Sequence, residues 1–140
     1  MIIAVDFDGT IVEDRYPEIG REIPFATDTL RMLAEKRHRL ILWTVREGKC
    51  LDEALEWCKE RGVEFYAVNR DFPEEKGIHD TFSRKIKADV FIDDRNVGGI
   101  PDWGVIYRML TEQKSYREIL LEQLTSEVDM PKRKRFKLFG

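Results

Sequence analysis

Four short apolar runs constrain this chain more than any other feature: residues 2–7, 40–43, 65–68 and 88–92. Each is nearly continuous rather than alternating, the pattern of a strand buried on both faces of a sheet. Helical spacings stand between them. Segment 27–37 places Leu30, Leu33 and Ala34 on one face, with Thr27 or Asp28 as N-cap. Segment 51–61 repeats the pattern through Leu51, Ala54, Leu55 and Cys58, and Gly62 ends it. Strands alternating with helices predict βαβ units, hence a parallel sheet with helices on its faces. In such sheets ligands gather outside the carboxyl ends of the strands, so the residues just after each run are the ones to inspect.

The remaining segments are connections and an extension. Residues 13–24 mix charges with Tyr16, Pro17, Gly20 and Pro24, and predict a loop or small hairpin. Residues 69–84 are polar, carry Pro73 and Gly77, and predict a long loop. Segments 103–110 and 116–124 are helical in spacing, the second through Ile119, Leu120 and Leu124. The organisation expected is a core over 1–110, a helical extension over 111–130 packed on it, and a basic tail over 131–140.

Charge divides along the same lines. The net charge is −3, but the last ten residues hold five bases (Lys132, Arg133, Lys134, Arg135 and Lys137) and no acid. Residues 1–130 therefore carry 19 bases against 27 acids, a net −8. An acidic body argues against a general nucleic-acid binder, whose phosphate contacts need a positive surface. The apolar runs are too short to span a membrane. No secretory signal is expected, since Met1 leads directly into residues 2–5 without a basic region. Cys50 and Cys58 sit on one predicted helix, too far apart to bridge and in no zinc spacing. Free thiols fit a reducing cytoplasm.

Chemistry concentrates at the strand ends. The first run ends in Asp6-Phe7-Asp8-Gly9-Thr10. Period-two alternation starts Asp6 and Asp8 on one side and turns Phe7 to the other. Two neighbouring carboxylates repel, and a hard divalent cation such as magnesium removes the conflict. Gly9 permits a tight turn and a close backbone approach to a ligand. The second run ends in Thr44-Val45-Arg46, a hydroxyl donor and a planar fork suited to phosphate. Read alone, Thr44 is a cap or turn residue and Arg46 a surface charge. The fourth run ends in Asp93-Asp94, and acids after two strands bring three or four carboxylates around one metal. Lys85 or Lys87 supplies a cation to balance them.

In order and spacing these features resemble the haloacid dehalogenase (HAD) superfamily of phosphohydrolases. The strand ending in DxDGT is Val5 to Thr10, and the strand ending in Thr is 40–44. The lysine is Lys85, with Lys87 competing, and the strand-end acids are Asp93-Asp94. The motifs cover residues 5–94, about two-thirds of the chain.

The resemblance implies an α/β, three-layer Rossmann-like fold with a parallel central sheet, helices on both faces and no separate cap domain. It implies Asp6 as the nucleophile that forms an aspartyl-phosphate, and Asp8 as the acid and base. It also implies Mg2+ held by Asp6, the Asp8 main-chain carbonyl and the Asp93-Asp94 pair, with Asp94 the direct ligand and Asp93 the water-mediated or orienting partner. Thr44, Lys85 and backbone N–H groups near Phe7 and Gly9 would hold the transferring oxygens, with Arg46 also on the substrate.

Neither interval between motifs holds a folded cap, only a small flap near Tyr16. That residue either packs the flap or touches substrate. Such an open site takes large substrates or borrows a wall from a neighbouring subunit of a homo-oligomer. Asn69, Arg70 and His79 lie in the loop nearest the substrate. A weaker resemblance to deoxyribonucleotidase-like and small phosphatase branches implies a small phosphorylated metabolite, a nucleotide or sugar phosphate. Two other readings compete. One is a catalytically silent binding or scaffold protein. The other is a phosphoacceptor signalling domain, disfavoured because Thr44 stands where its aspartate belongs.

Overall fold

The computed structural model describes residues 1–74 and 84–128; His79 and the basic tail lie outside the described residues. The elements run β1 (Ile2–Val5), β2 (Val12–Arg15), β3 (Glu18–Glu22), α1 (Ala26–Glu35), β4 (Arg39–Leu42), α2 (Gly48–Glu60), β5 (Ala67–Val68), β6 (Val90–Ile92), α3 (Trp103–Glu112) and α4 (Tyr116–Val128). They group into two compact units, Met1–Trp103 and Gly104–Gly140.

The first unit is an α/β arrangement around a four-stranded parallel sheet of order β5-β4-β1-β6. Ile3, Ala4 and Val5 of β1 and Leu40, Ile41 and Leu42 of β4 are at most 2% exposed. Successive strand side chains face opposite ways, so both faces of these central strands are covered. Ala4, Ile41, Ala67 and Ile86 form one buried cluster, flanked by Ile2, Trp43, Ala88 and Phe91. The regular strands are shorter than the apolar runs predict, but their ladders continue beyond them. The Tyr66 and Asn69 N–H groups donate to Leu40 and Leu42 carbonyls on either side of β5.

The chain order decides where the site lies. After β1 it moves outward through β4 to β5, then crosses back to β6 on the other side of β1. The order reverses between β1 and β6, and a parallel sheet leaves an open crevice at such a point.

Segment 13–24, expected as a loop or small hairpin, forms the β2–β3 hairpin, with a bulge between Val12 and Asp14. Local structure departs from expectation at the next element. Helix α1 begins at Ala26, and its N-cap is neither Thr27 nor Asp28. The cap position is Phe25, left-handed at φ 68° and without a side-chain cap. Instead the Glu22 carboxylate of β3 accepts the Thr27 N–H at 2.8 Å and the Thr27 hydroxyl as well. A borrowed anion at a helix N-terminus satisfies free N–H groups and suits the helix dipole. Cys50 and Cys58 both lie on α2 as free thiols.

In the second unit, Ser115 and Glu118 cap α4 reciprocally. The Ser115 N–H donates to Glu118 at 2.6 Å and the Glu118 N–H to the Ser115 hydroxyl at 3.2 Å. Arg108 bridges Glu112 and Glu122, each at 2.9 Å. Such exposed pairs are screened by solvent and add little to stability. Among the described residues, no helix is long and apolar enough to cross a membrane.

Candidate active site

The register pair Val5–Ile92 sets the site. One residue further, the Asp6 N–H donates to the Ile92 carbonyl at 3.0 Å, which lays Asp6 beside Asp93. Oxygens of Asp6, Asp93 and Asp94 all lie within 4.8 Å of one another. Burial, a hydrogen bond with Asp94 and the Asp93 charge push Asp6 from 3.8 up to about 7. The Phe7 backbone N–H and the Thr10 hydroxyl oppose this rise. Three hard oxygen donors that repel when charged fit a divalent cation of the magnesium class.

Thr10 ties the two strand ends together. Its hydroxyl lies 3.2 Å from Asp6 Oδ2 and 3.3 Å from Asp94 Oδ1, and it accepts the Asp94 N–H at 3.1 Å. Trp103 Nε1 donates to the Thr10 carbonyl at 3.0 Å, and both residues are buried. Thr10 stands inside the DxDGT run, so the signal was present without any role attached to it. Gly9 has φ +83°, and a Cβ there would lie 2.3 Å from Asp94 Oδ2. The close approach that Gly9 permits is therefore that of Asp94.

Asp8 does not join this cluster. Strand β1 stops at Val5, because the Phe7 carbonyl accepts N–H groups from Thr10, Ile11 and Val12 and closes a turn. Alternation thus ends before Asp8. Its carboxylate instead meets Arg46, Nε to Oδ2 and Nη2 to Oδ1, both at 2.7 Å. These hydrogen bonds raise the Arg46 pKa further. The side-chain placement leaves the expected metal role of Asp8, through its main-chain carbonyl, unaffected.

Three groups expected on the substrate make their bonds within the chain. Arg46 is neither a surface charge nor a free fork: it is fully buried, and its guanidinium is occupied by Asp8 and three carbonyls. The Gly9 N–H donates to the Val12 carbonyl at 2.7 Å. The Phe7 N–H serves Asp6, and the Phe7 ring is buried edge-on against Trp57 at 5.8 Å. Thr44 does stand at the sheet edge. Its oxygen accepts the Arg46 N–H at 3.0 Å, which leaves its own proton to donate. Asn69, left-handed at φ 54°, accepts the Thr44 N–H at 2.8 Å. Asn69 therefore braces the β4 exit rather than reaching outward. Lys85 is exposed, with Nζ 5.2 Å from the Phe91 ring centre. Among the described residues, no ion pair joins Lys85 or Lys87 to the three aspartates. Tyr16 packs its ring on Arg46 at 5.1 Å and stays 54% exposed.

The Asp6 shift has a definite pH consequence. Folded Asp6 holds its proton more tightly than the unfolded chain, which titrates near 3.8. This contribution to stability is complete below that value and is lost as pH rises through about 7. With chelator present, Tm of the wild type relative to Asp6→Asn falls between about pH 5 and about pH 8. A divalent cation held by the three carboxylates is expected to raise the wild-type Tm more at the higher pH, where no proton competes. Differential scanning calorimetry measures both.

Fold and site together define an α/β protein whose carboxylate cluster lies at the switch point of a parallel sheet. The solved structure of a conserved protein from Bacteroides thetaiotaomicron is 68% identical to this chain, with a TM-score of 0.80. The match covers 85% of this chain and 96% of that one, and the chain belongs to the same family as that conserved protein. No protein-family model matches the chain, and no curated protein does.

Proposed function

We propose that the protein is a magnesium-dependent phosphomonoester hydrolase of the HAD type, with a capless three-layer Rossmann-like core. The observation that carries this reading is the Asp6–Asp93–Asp94 cluster at the carboxyl ends of β1 and β6. Magnesium held by these carboxylates and the Asp8 main-chain carbonyl supplies positive charge that offsets repulsion between an anionic nucleophile and an anionic phosphate. Asp6 bonds to phosphorus through one oxygen while the bond to the leaving oxygen breaks. Asp8 gives a proton to that oxygen, then takes one from the water that cleaves the aspartyl-phosphate. The Thr44 hydroxyl holds a transferring oxygen. The substrate is a small phosphorylated metabolite such as a nucleotide or sugar phosphate, and the free thiols fit the cytoplasm.

The test is phosphate release from an aryl phosphate and a panel of nucleotides and sugar phosphates, with magnesium or with chelator. Magnesium-dependent release from at least one compound is expected. The second reading, a catalytically silent member, is favoured by the exposed Lys85 lying on Phe91. It predicts magnesium-linked stabilisation with no release from any compound.

A further inference from the structure

Arg46 is the most heavily engaged side chain around the site. Its five N–H donors reach five acceptors. Nε and one Nη2 hydrogen bond Asp8, the second Nη2 hydrogen bonds the Glu18 carbonyl, and Nη1 serves the Pro17 and Cys50 carbonyls. These contacts span 2.7 to 3.3 Å. The Phe7 and Tyr16 rings cover the guanidinium from 5.1 Å each. No part of Arg46 is exposed, and the Asp8 side chain is only 11% exposed. A planar fork with every donor used allows one orientation of its partner, which a lysine point charge does not. Pro17 lies in the turn of the β2–β3 hairpin and Glu18 opens β3, so one side chain anchors both the tip of that hairpin and the Asp8 carboxylate.

We propose that Arg46 is a positioning residue: it fixes the Asp8 carboxylate and clamps the β2–β3 turn against it, so that hairpin and carboxylate are aligned as one body. This rests on the phosphatase reading above, in which Asp8 handles the leaving oxygen. The water step is common to all esters, but in the transfer step, which kcat/KM reports, misalignment of Asp8 harms substrates that need its proton and spares those that do not. An alkoxide leaves poorly without a proton, whereas nitrophenolate leaves without one.

The experiment compares glycerol phosphate and nitrophenyl phosphate as substrates of wild type, Arg46→Lys and Tyr16→Leu. In Arg46→Lys, kcat/KM falls about 100-fold on glycerol phosphate but only about 10-fold on nitrophenyl phosphate. A defect in folding alone lowers both rates by one factor. Tyr16 is largely exposed, so Tyr16→Leu keeps the fold and loosens the anchor from the hairpin side. Its loss is about threefold greater on the alkyl ester. If Arg46→Lys does not fold, Tyr16→Leu decides. Equal losses on the two esters, or none, overturn the positioning role alone. An alkyl phosphate of the panel above replaces glycerol phosphate where the wild type prefers it, and release of phosphate by the wild type from no compound at all overturns the phosphatase reading, and the role of Arg46 with it.

Discussion

Asp6→Asn lowers magnesium-dependent phosphate release by roughly 10^4-fold or more, the scale seen when an enzyme loses its nucleophile. The amide is nearly isosteric with the acid but cannot form the aspartyl-phosphate. Stability moves the opposite way. Asp6 is pushed up to about 7 because burial and the neighbouring acids disfavour its charge. A neutral asparagine removes that conflict, so the chelated variant unfolds at a higher temperature than wild type above neutral pH. Its stabilisation by magnesium shrinks, since one of the three carboxylates is gone. Activity lost together with metal-free stability gained excludes misfolding as the cause. Wild-type turnover in Asp6→Asn would sink the nucleophile assignment. Phosphate assays and calorimetry on the same samples measure both.

Arg46→Met has the largest expected effect on stability, a loss of about 3–5 kcal/mol, because it strands a mostly buried carboxylate without its partner. Urea unfolding at neutral pH measures it. Much of this cost belongs to the abandoned Asp8 rather than to the pair. Adding Asp8→Asn to Arg46→Met therefore recovers part of the loss, as removing both partners of a buried pair commonly does. Failure to recover any of it would put the value of Arg46 in its bonds to the Pro17, Glu18 and Cys50 carbonyls. The pair would then matter less than the clamp on the hairpin.

The parallel sheet was legible because burial on both faces leaves near-continuous apolar runs, as at Ile3–Ala4–Val5 and Leu40–Ile41–Leu42. The acids at Asp6, Asp93 and Asp94 were legible because they directly follow such runs. The cap of α1 was not. It comes from Glu22, on a different element, and a local scan for capping residues finds only Thr27 and Asp28. Lys85 precedes the last strand in the expected place, and its ammonium lies 5.2 Å from the Phe91 ring centre, a contact that no local pattern announces.

By itself the sequence determined the alternation of strands and helices, and with it the edge of the sheet where acids would gather. That follows from local periodicity, which strands and helices write into neighbouring residues. Only the tertiary structure decided which acids share a site. The register of β1 against β6 joined Asp6 to Asp93 and Asp94, and the turn closed on the Phe7 carbonyl sent Asp8 to Arg46. Asp8 and Arg46 stand 38 residues apart, and their pairing depends on burial and long-range geometry that no local pattern encodes.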